Sequence, residues 1–557
     1  MIGKILDKVL HEDEDDVRRA DEKKGEKKEG WSKTLLLGTL LVFIIAFSSR
    51  MVFLFFFTNP HVVGTDWYGD VYHHWQIALL SKEVGFSHGF LRLWDLKGLE
   101  YYWGLMHPLV LILGFIISGS IDILVPRMVS VIFSSLAVTL MFLVISRYFN
   151  KKAGFAAAIF ASFVPVALFS DTLGMQEPLA LFFLLFGVFL WPRHAFFAGF
   201  SWMLAGMVRS EYWLFGAGLT IALILRSRQT HKKVILFLGY ILPLVFYMKY
   251  MLDYTGNPIY PIYYNFLATV VGDWFIKDGV QLSSKVLLIK SVSQVFTITF
   301  IALGVLFMWR RPQGFLYYLV GLANLVFIFF VFGFGSYLYG YPDDGSIFII
   351  DRNWVDRIMA WPWVFIGSII SIGLFYYIPH ILKHKHVKAV GLFLSSGIFV
   401  SILLASQLSW SSINYHYAKA LAPMDGEAAN ARKIAESFQQ EGSIIIPDGR
   451  PLLTYDLIVK ENIPADKLVS QLYGPFYYAK TDPFENWGDF RLEIIKWLRK
   501  VDAELLVLAG SFGLSDSPDQ YSKMMEYEKD KLFTLVDEFS GFRIYRVNTD
   551  ELYKQEF

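Results

Sequence analysis

The feature that most limits what this chain can become is a succession of apolar runs, each approaching or reaching the length needed to cross a bilayer. They lie at about 34–57, 125–146, 153–170, 178–192, 194–208, 212–225, 234–252, 291–309, 314–335, 358–378 and 388–408. A hydrocarbon core takes roughly 20 helical residues to span, so the pattern defines a polytopic α-helical membrane protein with about 11 transmembrane helices. Composition agrees. With 55% hydrophobic and only 18% charged residues, and a mean hydropathy of +0.42, the chain is too apolar for an ordinary soluble globule. A net charge of +1 gives no global attraction to nucleic acid. The absence of cysteine excludes disulfides, iron–sulfur clusters and thiolate zinc sites.

Charge sets the expected orientation. Residues 1–33 include the mixed-charge stretch "HEDEDDVRRADEKKGEKKEG", which reads as a solvated cytoplasmic tail and argues against a cleaved signal peptide. "RYFNKK" (147–152), "PRH" (192–194), "RSRQTHKK" (226–233), "RRP" (310–312) and "HILKHKHVK" (380–388) alternate with connections poor in Lys and Arg. The positive-inside rule puts the basic set in the cytoplasm. The 58–124 loop, 170–177, 209–211, 253–290, 336–357 and everything beyond about 410 are then external. This alternation holds only if "HPLVLILGFIISG" (107–119), short and broken by Gly and Pro, stays re-entrant or interfacial. The transmembrane domain thus covers 34–409, with a long first external loop at 58–124. From 410 to 557, β-type runs ("GSIIIPDGR", "AELLVLAGS", "FTLVDEFSGFRIYRV") alternate with helical ones ("PLLTYDLIVKEN", "FRLEIIKWLRKV"), as expected of a small external α/β domain.

Ionisable side chains gather at the external ends of the spans. The first loop carries Asp66, Asp70, His73 and His74, the second Asp171 and Glu177. Arg209 and Glu211 follow the fifth span, and Asp351, Arg352, Asp356 and Arg357 precede the tenth. Such groups are costly near hydrocarbon and usually mark a task, although a residue outside a membrane is also simply allowed to be polar. Arginines at a span terminus can hold a phosphate at headgroup level. A carboxylate beside them can act as general base toward a hydroxyl, and a pair of carboxylates can hold a divalent cation. Adjacent His73 and His74 project about 100° apart on a helix, which disfavours joint ligation of one ion. With Tyr72 and Trp75 they read as interfacial residues. Arg209 and Glu211 read as an ion pair at a span end, with a catalytic part for Glu211 as the alternative.

"GDVYHHWQIALLSKEVG" (69–85) resembles the first-loop motif of the GT-C membrane glycosyltransferases, and "MQEPLALFF" (175–183) is similar to their second-loop acidic motif. "TGNPIYP" (255–261) resembles a loop phrase of the superfamily, and "DRIMAWPWVFIG" (356–367) its late arginine-led motif. The resemblance runs in order over about the first 380 residues. It implies an inverting GT-C hexosyltransferase that takes a sugar from a polyprenyl- or dolichyl-phosphate donor, similar to protein mannosyltransferases and aminoarabinose transferases, and passes it to a protein, glycan or lipid acceptor. It also implies a prokaryotic cell membrane or an ER-type membrane. Asp70 matches the first-loop acid, Glu177 the second and Arg357 the phosphate-binding arginine. Asp171 is an added catalytic candidate and Arg352 a second phosphate ligand. Asp70 and Glu177 would serve a divalent metal, Mg or Mn, if one is used. Val71 follows Asp70 where many mannosyltransferases carry Glu, leaving Asp66 as the substitute second carboxylate. An oligosaccharyltransferase catalytic subunit is the runner-up, although "NWGDF" (486–490) lacks the paired tryptophans of that family's WWDYG-type motif. A lipid-linked sugar transporter or flippase is the reading from another class, disfavoured because the acids sit at span ends and no repeated halves are visible.

Overall fold

The computed structural model describes residues 33–63, 70–83, 103–226, 229–263, 339–340, 349–350, 352–382, 384–410, 424–447, 449–471, 474–479, 481–509 and 517–554, with isolated positions 295, 299 and 413. The apolar runs become helices close to where they were expected. α1 spans Lys33–Val52 and continues as a π turn, Phe53–Phe57. α2 is Asp70–Glu83 and α3 is Met106–Ser118. α4 is Leu124–Tyr148, and Asp122 just ahead of it accepts the Leu124 N–H on its carboxylate. α5 is Lys151–Phe163, capped by the Asn150 side chain on the Ala153 N–H. α6, Pro165–Asp171, leaves it at a 67° bend, because proline supplies no N–H and pushes Val164 out of helical geometry into an extended backbone.

α7 (Glu177–Leu190), α8 (Ala195–Val208), α9 (Glu211–Arg226) and α10 (Thr230–Thr255) follow. The backbones of α8 and α10 touch where Gly199 meets the carbonyl of Leu236 and Gly239 meets that of Phe196. A Cβ at either glycine would clash with main chain. α11 (Arg352–Ile372) runs antiparallel to α5: Gly367 lies on Phe160, and the Asn150 amide donates to the Phe375 carbonyl. α12 is Lys385–Ser406. Two-residue strands β1 (Tyr339–Gly340) and β2 (Ile349–Ile350) pair antiparallel ahead of α11.

Among the described residues five helices are long and apolar enough to cross a membrane, or six if the bent α5–α6 pair is one span, with four shorter apolar helices beside them. The chain is an integral membrane protein. The expected count of about 11 is not reached among these residues, and the runs at 291–309 and 314–335 lie outside them. α3, the segment expected not to cross, is 13 residues long. At 1.5 Å per residue that is about 20 Å, short of a hydrocarbon core.

The C-terminal domain has a five-stranded sheet in the order β4-β3-β5-β7-β6: Leu468–Ser470, Ser443–Ile446, Ala503–Leu508, Phe542–Val547 and Phe533–Phe539. β3 pairs parallel with β4 and β5, whereas β7 pairs antiparallel with β5 and β6. Alternation along the strands sorts the two faces. Ile445, Leu506, Leu508 and Tyr545 pack under α15 (Trp487–Lys500) and α16 (Ser517–Glu528). Ile444, Ile446, Leu505, Val507 and Ile544 join a core with α13 (Met424–Ser437), α14 (Pro451–Tyr455) and, from the other domain, Tyr72, Trp75 and Leu79 of α2. One apolar core therefore runs across the domain boundary.

Candidate active site at one end of the bundle

The bundle end that holds the first and second loops is tied together by a buried arginine. Arg127 of α4 donates to the carbonyls of Thr172, Asn59 and Val62 and to the Thr58 hydroxyl, joining the ends of α1 and α6 to the start of α4. Four segments carry the ionisable groups at this end. Asp70 opens α2, where a carboxylate is favoured by the helix N-terminus. One turn on, His73 keeps part of its surface exposed. Its largely apolar surroundings nevertheless push the imidazole down to about 4, with Asp70 pulling the other way. His74 is buried, with ring centroids 4.6 Å from Trp103 and 4.8 Å from His107 at the start of α3. Glu177, the first residue of α7, binds Arg209 at the end of α8 at 2.5 Å, and both side chains are partly exposed (16% and 14%).

Asp171 has a different setting. It is fully buried and accepts both Nε and Nη2 of Arg50, at 2.9 and 2.5 Å, with neither side chain exposed. Arg50 also donates to Ser134 and to the carbonyls of Ala46 and Ala161. The carboxylate thus locks α1, α4 and the α5–α6 bend together.

The structure corrects part of the sequence reading. Tyr72 and Trp75, expected at an interface, are 1% and 0% exposed and packed by the C-terminal domain, and the histidines beside them lie against Trp103 and, for His74, His107. Arg209 is bound by Glu177, a partner the sequence reading did not name, while the Glu211 side chain of the expected pair lies outside the described residues. Asp66, Asp351 and the side chains of Glu211, Arg352, Asp356 and Arg357 lie outside the described residues. The backbone of α11 places Arg352 and Arg357 in its N-terminal turns, at the end where it packs on α6. Sequence reasoning missed Arg50 and His107. A lone arginine inside the apolar run "FIIAFSSRMVF" was the readable signal for the first. Among the described residues no three His, Asp or Glu side chains converge in a metal-binding group, so Asp70 and Glu177 do not by themselves complete a cation site.

The sequence matches no protein-family model and no curated protein. Among solved structures the chain is similar to the Archaeoglobus fulgidus oligosaccharyltransferase in its apo form, with 12% identity over 86% of this chain and 70% of the other and a TM-score of 0.42. It is also similar to ArnT from Cupriavidus metallidurans bound to undecaprenyl phosphate, with 14% identity over 93% of this chain and 98% of the other and a TM-score of 0.44. Both are membrane glycosyltransferases of the GT-C superfamily that the loop motifs resemble.

Proposed function

We propose that the protein is a membrane glycosyltransferase that moves a sugar from a polyprenyl-phosphate-linked donor to an acceptor hydroxyl or amide on the external face. The supporting observation is the meeting, at one bundle end, of Asp70 at a helix N-terminus, the His73–His74–Trp103–His107 cluster and the Glu177–Arg209 pair. Asp70 takes the proton of the acceptor as its oxygen or nitrogen attacks the anomeric carbon. The bond from that carbon to the phosphate oxygen breaks, and its electron pair leaves with the polyprenyl phosphate. Arg357, with Arg352, holds that phosphate, and its charge favours the leaving group. Attack opposite the leaving group inverts the anomeric configuration. Glu177, fixed by Arg209, orients the acceptor. A divalent cation on the donor phosphate would draw on Asp70 and Glu177 and complete its shell from residues beyond those described. His73, held neutral near pH 7, offers a hydrogen bond rather than a charge. The N-terminus is then cytoplasmic and the C-terminal domain external.

Transfer in proteoliposomes supplied with polyprenyl-phosphate and polyprenyl-diphosphate sugars tests this reading. Asp70→Asn should lower kcat about 10²- to 10⁴-fold, the usual worth of a general base. Robust transfer by a folded Asp70→Asn protein would remove Asp70 from the chemistry, and flippase activity without a glycosidic product would replace the function itself.

A further inference from the structure

We infer that the C-terminal domain positions Asp70 through Tyr455, which makes this tyrosine a positioning residue for the transfer proposed above, on which the inference rests. Tyr455 closes α14 and is 2% exposed. Its ring lies edge-on to Tyr72 and Trp75 of α2, with centroids at 5.2 and 4.9 Å. Its hydroxyl accepts the Ile123 N–H at 3.2 Å and donates to the Asp122 carboxylate at 3.4 Å. The other Asp122 oxygen accepts the Leu124 N–H at the start of α4 and lies 3.0 Å from His61 Nδ1. The two rings gripped by Tyr455 are tied in turn to the loops around them. Trp75 Nε1 donates to the Ile121 carbonyl at 2.6 Å, and the Tyr72 hydroxyl accepts from the Val63 N–H and donates to the Val63 carbonyl.

This set of contacts has a mechanical consequence. Tyr72 and Trp75 lie in the first two turns of a helix that begins at Asp70. A helix turn is stiff, so a domain that holds those two rings also holds the Asp70 backbone. The opposite side of α2 carries His73, and His74 at its border, so the clamp and the candidate site sit on different faces of one short rod. Displacement of a reacting group by about 1 Å costs roughly 10²-fold in rate. A domain that holds α2 thus sets how fast the transfer runs.

The chain has no cysteine, so paired spin labels can be placed at will. Labels at Lys82→Cys on α2 and Lys531→Cys on the C-terminal domain, both exposed positions, should give one narrow distance distribution in the full-length protein. Tyr455→Phe keeps the ring and loses the hydroxyl's bonds. It should leave the distribution narrow and lower kcat about fivefold, the size of one net hydrogen bond. Tyr455→Ala should broaden the distribution and lower kcat about 100-fold, with KM for the lipid-linked donor unchanged. A narrow distribution in Tyr455→Ala would overturn the inference. So would broadening without loss of kcat, or a loss that falls on donor KM alone. If the wild-type chain transfers no sugar, the functional reading fails, and the distance measurement still decides whether Tyr455 holds α2.

Discussion

Asp171 and Glu177 flank one short turn, and each is bound by an arginine from another helix, yet the two pairs sit in opposite settings. The Arg50–Asp171 pair is sealed, with 0% exposure on both sides, and every contact it makes is to the helices it joins. The Glu177–Arg209 pair retains 16% and 14% exposure, beside His107 and the histidine cluster. The first, sealed from solvent, joins helices, and loss of one partner would leave an uncompensated charge in an apolar bundle. The second stays partly open to solvent. Equal charge pairing therefore does not mark equal setting. What separates the pairs is access.

The largest expected effect is on the sealed pair. Arg50→Ala should cost about 3–5 kcal/mol, the usual penalty for stranding a buried charge, read as a lowered Tm in detergent. Replacing both partners, as Arg50→Met with Asp171→Leu, should restore folding and leave transfer within a few-fold of wild type. A folded but inactive double variant would show Asp171 to be catalytic after all and erase the distinction. Next in size is the open pair. Arg209→Gln or Glu177→Gln should leave Tm almost unmoved but lower transfer by roughly 10²-fold, about 2.7 kcal/mol of transition-state stabilisation. Equal losses of Tm and rate in these variants would place the second pair beside the first as architecture.

Much of the frame was legible in the sequence because membrane crossing is a local property. The run read at 125–146 is helix Leu124–Tyr148, and the run at 388–408 is Lys385–Ser406. The strands in "GSIIIPDGR", "AELLVLAGS" and "FTLVDEFSGFRIYRV" form as expected, whereas β4, Leu468–Ser470, is too short to carry a pattern. The pairing of charges was not legible. Arg50 and Asp171 lie on separate helices, and nothing in either neighbourhood names its partner. Tyr72 and Trp75 misled for a related reason: amphipathic aromatics beside a span suit a headgroup layer and a domain seat equally, and only the fold brings Tyr455 onto them.

A third acid tests the distinction at its margin. Asp456 follows Tyr455 in the domain seat. Its side chain is 0% exposed, but its partner Lys460, 2.7 Å away, is 40% exposed, so the carboxylate is sealed and its counter-ion is not. Burial raises its pKa, Lys460 opposes through hydrogen bonding and charge, and Glu427 and Glu461 add to the rise. Its charge also reaches Tyr72 and Tyr455 across the seat. A folded-state pKa above the unfolded value means that folding takes up a proton. The contribution is fully present below the unfolded carboxylate range and is lost as pH rises through the raised value. The stability of the C-terminal domain should therefore decline from acidic toward neutral pH, and Asp456→Asn should flatten that slope with a smaller change in Tm than either arginine pair produces. Thermal unfolding across pH 4–8 checks it. A slope that steepens in the Asn variant, or that rises with pH in the wild type, would mean that Lys460 outweighs burial and that one exposed counter-ion suffices to make a sealed carboxylate behave as an open one.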